Sequence, residues 1–247
     1  MAKEKSLFYK LFNPHIDNSG DILLKKENTL RKLVGILGMS LPLFLYLFLF
    51  IDSGFTSVLP SISHYYYTRA CSVFIITVSI LAIFLIIYKG NSKRGYYIST
   101  ISGIAAILLL LFPTDNLFPK LHGIYYKVSV TCLKDSPFRT YFHYIQSAIF
   151  LLGLAYMSYF LFPEKTGIDL KHNKLMGVRN IIFRTTAIIM AIALLIIFLG
   201  SFNLFNCNFY LTNSITFWME VICLESFGIS WMVKGEFILK TNLNPLE

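Results

Sequence analysis

Four side chains of this 247-residue sequence, His64, Asp115, His143 and Glu220, are the types from which acid–base or metal chemistry is built. Two imidazoles and two carboxyls can pass a proton, and zinc takes three or four N, O or S ligands, with one position left open for catalysis. Spacing argues against a local metal motif. No HxxH, HxxxH or HExxH occurs, although His122 is a further possible neighbour of His64, and Cys71, Cys132, Cys207 and Cys223 contain no CxxC pair. A zinc site on His64, His143 and Glu220 would have to be assembled from separate elements, so the expectation is no cofactor, with zinc as the alternative. Serine catalysis through Ser61 or Ser63 with His143 and an acid is chemically open, although no GxSxG elbow is present. There is no Walker or Rossmann fingerprint, which leaves nucleotide-driven and hydride chemistry without support.

The elements that must position these residues are apolar. The chain is 55% hydrophobic and 14% charged, with 23 Phe and 15 Tyr, against roughly 25% charged residues in a soluble domain. Its mean hydropathy is +0.62. A formal charge of +9 would ordinarily raise nucleic acid as a partner. Here the excess lies beside apolar spans, where topology and anionic lipid account for it, so the expected partners are membrane lipids and not nucleic acid.

Crossing the hydrocarbon core takes about 20 mostly apolar residues. Six segments qualify: 33–51, 70–88, 95–113, 144–162, 181–200 and 213–233. Continuous apolar runs in lipid mean helices, which satisfy their own backbone polar groups. The expectation is an all-α, polytopic protein of six transmembrane helices. It divides into a basic segment 1–31, a bundle 32–234 and a tail 235–247. No cleavable signal peptide is evident, because the first 31 residues are polar and basic and the first apolar run lacks a small-residue cleavage site. Seventeen of the 22 Lys and Arg residues fall on one side of the six spans, which makes both termini cytoplasmic in a cell membrane. Cys132 and Cys207 then share the outer side and are candidates for a disulfide. The stretch KEKSLFYKLF reads either as an amphipathic surface helix or as a basic tail.

Ionisable residues within spans are costly and usually mean pairing or function. Most here gather towards the outer side: Asp52, His64, Arg69, Asp115, His143 and Glu220. Arg184 is the inner exception, able to snorkel to the surface. Span six carries two carboxyls, Glu220 and Glu225, roughly 140° apart around the helix, so it should pack centrally with neighbours on two sides. Gly228 would allow one of them to approach closely. Thr140, His143 and Ser147 share one face of span four, with Gln146 adjacent, and a His143–Glu220 hydrogen bond is expected between spans four and six. In SISHYYYTR, before span two, Tyr65, Tyr66 and Tyr67 are first an aromatic belt. His64 and Arg69 read as the rim of a pocket, with Arg69 able to clamp a phosphate.

The order of features resembles a known group. SIS leads through HYYYTR into span two, Tyr88-Lys89-Gly90 closes that span, and Phe112-Pro113-Thr114 closes span three. A histidine opens span four, and FWME followed by FGISWMVKGE fills span six. This is similar to uncharacterised six-span bacterial membrane proteins and, more distantly, to the DRAM/Frag/Sfk superfamily. The resemblance implies lipid handling or membrane organisation, in a bacterial inner membrane. The chain departs from the pattern in carrying His64 and Tyr67 where relatives have an alanine and a histidine.

The resulting expectation is an outer-facing polar pocket that binds a lipid headgroup or small polar ligand. Its contacts would come from Ser63, His64, Tyr66, Arg69, His143, Gln146, Trp218 and Glu220. Two alternatives stand beside it. One is a membrane-embedded, metal-assisted lipid hydrolase or transferase using His64, Asp115, His143 and Glu220. The other is a small proton-coupled transporter with Glu225 as the relay. Helix packing also leaves room for a homo-oligomer.

Overall fold

The computed structural model describes residues 20–88, 92–116, 128–163, 174–202 and 204–239. The KEKSLFYKLF stretch, His122 and the end of the C-terminal tail lie outside them. Among the described residues seven α-helices follow one another: α1 Gly20–Ser53, α2 Cys71–Ile87, α3 Lys93–Leu111, α4 Pro137–Tyr156, α5 Lys174–Ser201, the short α6 Cys207–Thr212 and α7 Ile215–Lys234. A 3-10 helix, Ile62–Tyr67, precedes α2, and a π-helical turn, Met157–Leu161, continues α4. The described residues contain no strand, only an isolated antiparallel bridge between Thr68 and Ser129.

Five of these helices are long and apolar enough to cross a membrane, and α2, with 17 residues, is apolar but shorter. The six expected spans thus fall on six helices, five to six of them able to span. The helices outrun the apolar segments at their polar ends. α1 starts at Gly20 instead of residue 33, α4 at Pro137 instead of 144, and α5 at Lys174 instead of 181. Hydropathy marks only the part suited to hydrocarbon, whereas capping decides where a helix begins. At α4, Pro137 occupies the first turn and Ser136 accepts a hydrogen bond from the Arg139 backbone N–H at 3.4 Å.

Each long helix packs against its neighbours in chain order, and α7 closes the ring against α1 while also packing on α5. The closing seam is tight. A Cβ on Gly228 would lie 2.8 Å from the Gly35 carbonyl oxygen and 2.1 Å from Met39 Cγ, so the two backbones approach as only glycines allow. Span six does have neighbours on two sides, as its paired carboxyls suggested.

The two ends of the ring differ. At the end holding the C-terminus of α7, Trp231 meets Tyr88, Phe162 and Phe227 with ring centroids 5.0, 5.4 and 5.8 Å apart. Phe162 in turn meets Phe183 at 5.6 Å, and these rings fill the interior. Around them are buried cations that pattern reading assigns to the membrane surface. Lys234 Nζ donates to the Phe162 carbonyl at 3.1 Å. Arg179, 2% exposed, donates to the Leu239 carbonyl at 3.2 Å and lies 3.7 Å from Glu236. Arg31 pairs with Glu27 at 3.2 Å and lies over the Tyr88 ring. The expected concentration of intramembrane charge at the outer side is therefore only half the picture. Arg184, by contrast, faces outward, its guanidinium 6.0 Å from the Tyr159 ring centroid.

Candidate functional site

At the opposite end the ring is hollow. The 3-10 helix 62–67 folds inward between α4 and α7 and is strapped at both margins. Pro60 O accepts from the Phe217 N–H at 3.1 Å, which satisfies one of the orphan amides of the first turn of α7. The Ile62 N–H donates to Glu220 Oε2 at 2.6 Å. On the other margin the Val130 N–H donates to Tyr67 O at 2.9 Å, beside the Thr68–Ser129 bridge. The Tyr67 hydroxyl donates to the Thr114 carbonyl. Burial pushes the Tyr67 phenol up to about 12, against the opposing pull of the Arg139 guanidinium, so it stays a donor.

This turn brings two serine–histidine pairs to one cavity of about 650 Å³. Ser61 Oγ lies 2.8 Å from His64 Nδ1, and His64 Nε2 is 3.8 Å from Asp115 Oδ1. Asp115 also accepts from Thr114 Oγ1 at 3.0 Å and from the Tyr144 hydroxyl at 3.2 Å. Ser63 Oγ lies 3.0 Å from His143 Nε2. His143 Nδ1 faces the carbonyl oxygens of Phe112 at 2.9 Å and Leu109 at 3.1 Å. Carbonyls only accept, so Nδ1 carries the proton. The imidazole is 2% exposed and all three of its partners are neutral, a setting in which a bare cation would be costly. A neutral ring with its proton on Nδ1 presents a lone pair at Nε2, and Ser63 donates to it.

The cavity has a polar end and an apolar end. Ser61, Ser63, His64, Thr114, Asp115, His143, Tyr144, Ser147 and Glu220 line the first. Leu151 and Leu152 of α4, with Ala191, Leu194, Leu195 and Phe198 of α5, line the second. The short α6 contributes Cys207 and Tyr210. Burial raises the Tyr210 phenol, which hydrogen-bonds Thr216 at 3.0 Å. Among the described residues the lining holds no Lys or Arg.

Of the residues expected at a site, Ser63, His64, Asp115, His143 and Glu220 converge here. The rest do not. Arg69 is 59% exposed and pairs with Asp52 at 3.3 Å, outside the cavity, so it is no phosphate clamp there. Tyr66 stacks edge-on against Tyr67, Gln146 is buried in the helix packing, and Trp218 is 49% exposed on the outer face of α7. None of the three lines the cavity. Tyr65 and Tyr67 are core residues at 0% exposure, which replaces the belt reading for two of the three tyrosines. The expected His143–Glu220 bond is not made. The inserted turn separates α4 from α7 and supplies each group with another partner, Ser63 for the histidine and the Ile62 amide for the carboxyl. Glu225 is half-buried and off the cavity wall. No three His, Cys, Asp or Glu among the described residues stand together as a metal site. Cys132 and Cys207 are free, exposed thiols and form no disulfide with one another.

Pattern reading missed Thr114, Tyr144 and the whole apolar end. A signal for the latter was present. His143, Ser147 and Leu151 follow at i, i+4 and i+8, one stripe that passes from polar to apolar along α4. Ala191, Leu194, Leu195 and Phe198, at i, i+3, i+4 and i+7, share one face of α5. Comparison with known proteins adds no relative: no protein-family profile, no curated protein and no solved structure matches this chain.

Proposed function

We propose that this chain is a multi-pass protein of the cell membrane, with both termini cytoplasmic, whose cavity takes the polar end of an amphiphilic lipid from the outer leaflet. On the resemblance drawn from its motifs, that membrane is a bacterial inner membrane. The carrying observation is the division of one cavity of about 650 Å³ into a hydrogen-bonding end and an apolar end between α4 and α5. Its volume is that of an ordinary small-ligand site. The Lys and Arg distribution supports the orientation. A lipid is favoured over a small polar solute because half of the wall would give such a solute nothing to bond.

The transporter reading is weaker. A relay at Glu225 needs a polar path towards the far end, and there the interior is filled by Phe162, Phe183, Phe227 and Trp231, all fully buried. The hydrolase reading keeps one specific observation in its favour, the Ser63–His143 pair, in a form that needs no metal.

The test is native mass spectrometry of the detergent-purified protein, alongside elemental analysis. The wild type retains lipid, and Ala191→Trp, which places an indole in the apolar end, loses it while remaining monodisperse. A wild type that retains no lipid and binds none from added vesicles overturns the reading. Stoichiometric metal would turn it towards a metal-dependent enzyme.

A further inference from the structure

We propose that Ser63 and His143 form a nucleophile–base pair that cleaves a neutral carboxylic ester bound in this cavity. The inference rests on the lipid-binding reading and goes beyond it, from holding a lipid to hydrolysing one.

Three observations carry it. The first is the pair itself. A serine hydroxyl is a weak nucleophile until a base stands ready to take its proton, and that base must be neutral, correctly tautomerised and held in place. His143 meets all three conditions. Its Nδ1 proton is shared between the carbonyls of Phe112 and Leu109, which fixes the ring plane, and Nε2 faces Ser63 Oγ at 3.0 Å. The two carbonyls, from the end of α3 and the residue after it, take the orienting role that a carboxylate plays in a serine–histidine–aspartate triad.

The second observation is an unmet hydrogen bond. Ser147 stands one turn along α4 from His143 and lines the cavity, yet its Oγ is buried and has no partner. With no protein partner, this hydroxyl can turn about its Cα–Cβ bond towards the cavity and donate to a ligand acceptor there. The carbonyl oxygen of an ester is such an acceptor.

The third is charge. Asp115 and Glu220 line the polar end, and among the described residues the lining holds no Lys or Arg. A phosphate headgroup would find no Lys or Arg among the described lining residues to pair with, which selects against anionic phospholipids. An acyl ester of an uncharged polyol meets no such penalty. Its chain would follow the apolar end between α4 and α5.

The chemistry balances with water as the only co-reactant. Ser63 Oγ bonds the acyl carbon as its proton passes to His143 Nε2. The tetrahedral adduct collapses, the ester C–O bond breaks, and the alcohol leaves with the proton from His143. Water then attacks the acyl-serine with His143 again as base. This releases the fatty acid and restores Ser63.

The experiment uses the full chain in detergent micelles and two probes: an alkyl fluorophosphonate, with the labelled serine located by peptide mass mapping, and 4-nitrophenyl octanoate. Fluorophosphonate reads nucleophilicity, which a merely structural serine lacks. We expect wild-type labelling at Ser63 and ester hydrolysis. Ser63→Ala should abolish both. His143→Gln should slow both by about 100-fold or more while elution stays monodisperse. Trp218→Phe, off the cavity, should behave as wild type. Retained lipid with no label at Ser63 overturns catalysis and leaves the binding reading standing. Labelling of a different serine overturns this assignment. Neither lipid nor label overturns both.

Discussion

The two ends of the ring are built from similar materials and do opposite things. Both bury polar and ionisable groups. At the Trp231 end, Arg31, Arg179 and Lys234 are matched to Glu27, Glu236 and backbone carbonyls, and aromatic rings occupy the space between. At the Ser63 end, the partners are smaller, an inserted turn holds the helices apart, and a cavity remains. Burial of charge alone therefore does not mark a site. What separates the ends is whether aromatic rings fill the space between the polar groups or a cavity is left there. The first arrangement should matter for stability, the second for a ligand.

That contrast can be broken from either side. The largest effect expected is at the solid end: Trp231→Ala should cost about 3–5 kcal/mol of stability. Retained lipid per folded molecule should stay unchanged; unfolding curves and native mass spectrometry read the two quantities separately. Loss of lipid at full stability would mean the ends are coupled. Glu236→Ala, which takes a carboxylate from Arg179, should cost about 1–3 kcal/mol with the same indifference to ligand. The reverse pattern is expected at the hollow end. Ser147→Ala should change stability by no more than about 0.5 kcal/mol, because it removes a hydroxyl that has no protein partner. It should still weaken lipid retention measurably. A last substitution sharpens the comparison through pH. Tyr67 is raised in the folded protein to about 12, above its ordinary value near 10. Its contribution is complete below pH 10 and is lost as pH rises towards 12. Tyr67→Phe should lower stability by about 1 kcal/mol at neutral pH and flatten the decline in unfolding midpoint above pH 10.

Much of this was legible before any coordinates. Six apolar runs give six helices because hydrocarbon leaves the backbone few alternatives, and Gly228 reads correctly as a close approach because no side chain could stand there. His143, Glu220, Asp115 and the SISH turn were recognisable as a group, since costly residues near one membrane face rarely gather without reason. Their bonding was not legible. A His143–Glu220 pair is the economical guess from two spans, and it fails because a third element, the 61–67 turn, inserts between them. Hydropathy treats that turn as a loop. Arg69 and Trp218 were misplaced for a related reason: neighbours in sequence to site residues, they face outward once the helix phase is fixed. The cations at the solid end were hidden by their position, because Arg31, Arg179 and Lys234 lie at span boundaries, where topology already accounts for a positive charge.

The ring order has a consequence in time. Because the long helices pack in the order in which they are synthesised, a growing chain can assemble α1 to α5 as each emerges. The site cannot form until α7 arrives. α7 carries the Phe217 amide that bonds Pro60 and the Glu220 carboxyl that takes the Ile62 amide, so the turn bearing Ser63 lacks both of these anchors before then. A chain stopped short of Ile215 would hold most of its membrane mass yet lack a pocket. Whatever chemistry this cavity performs is therefore withheld until α7 has been made and packed.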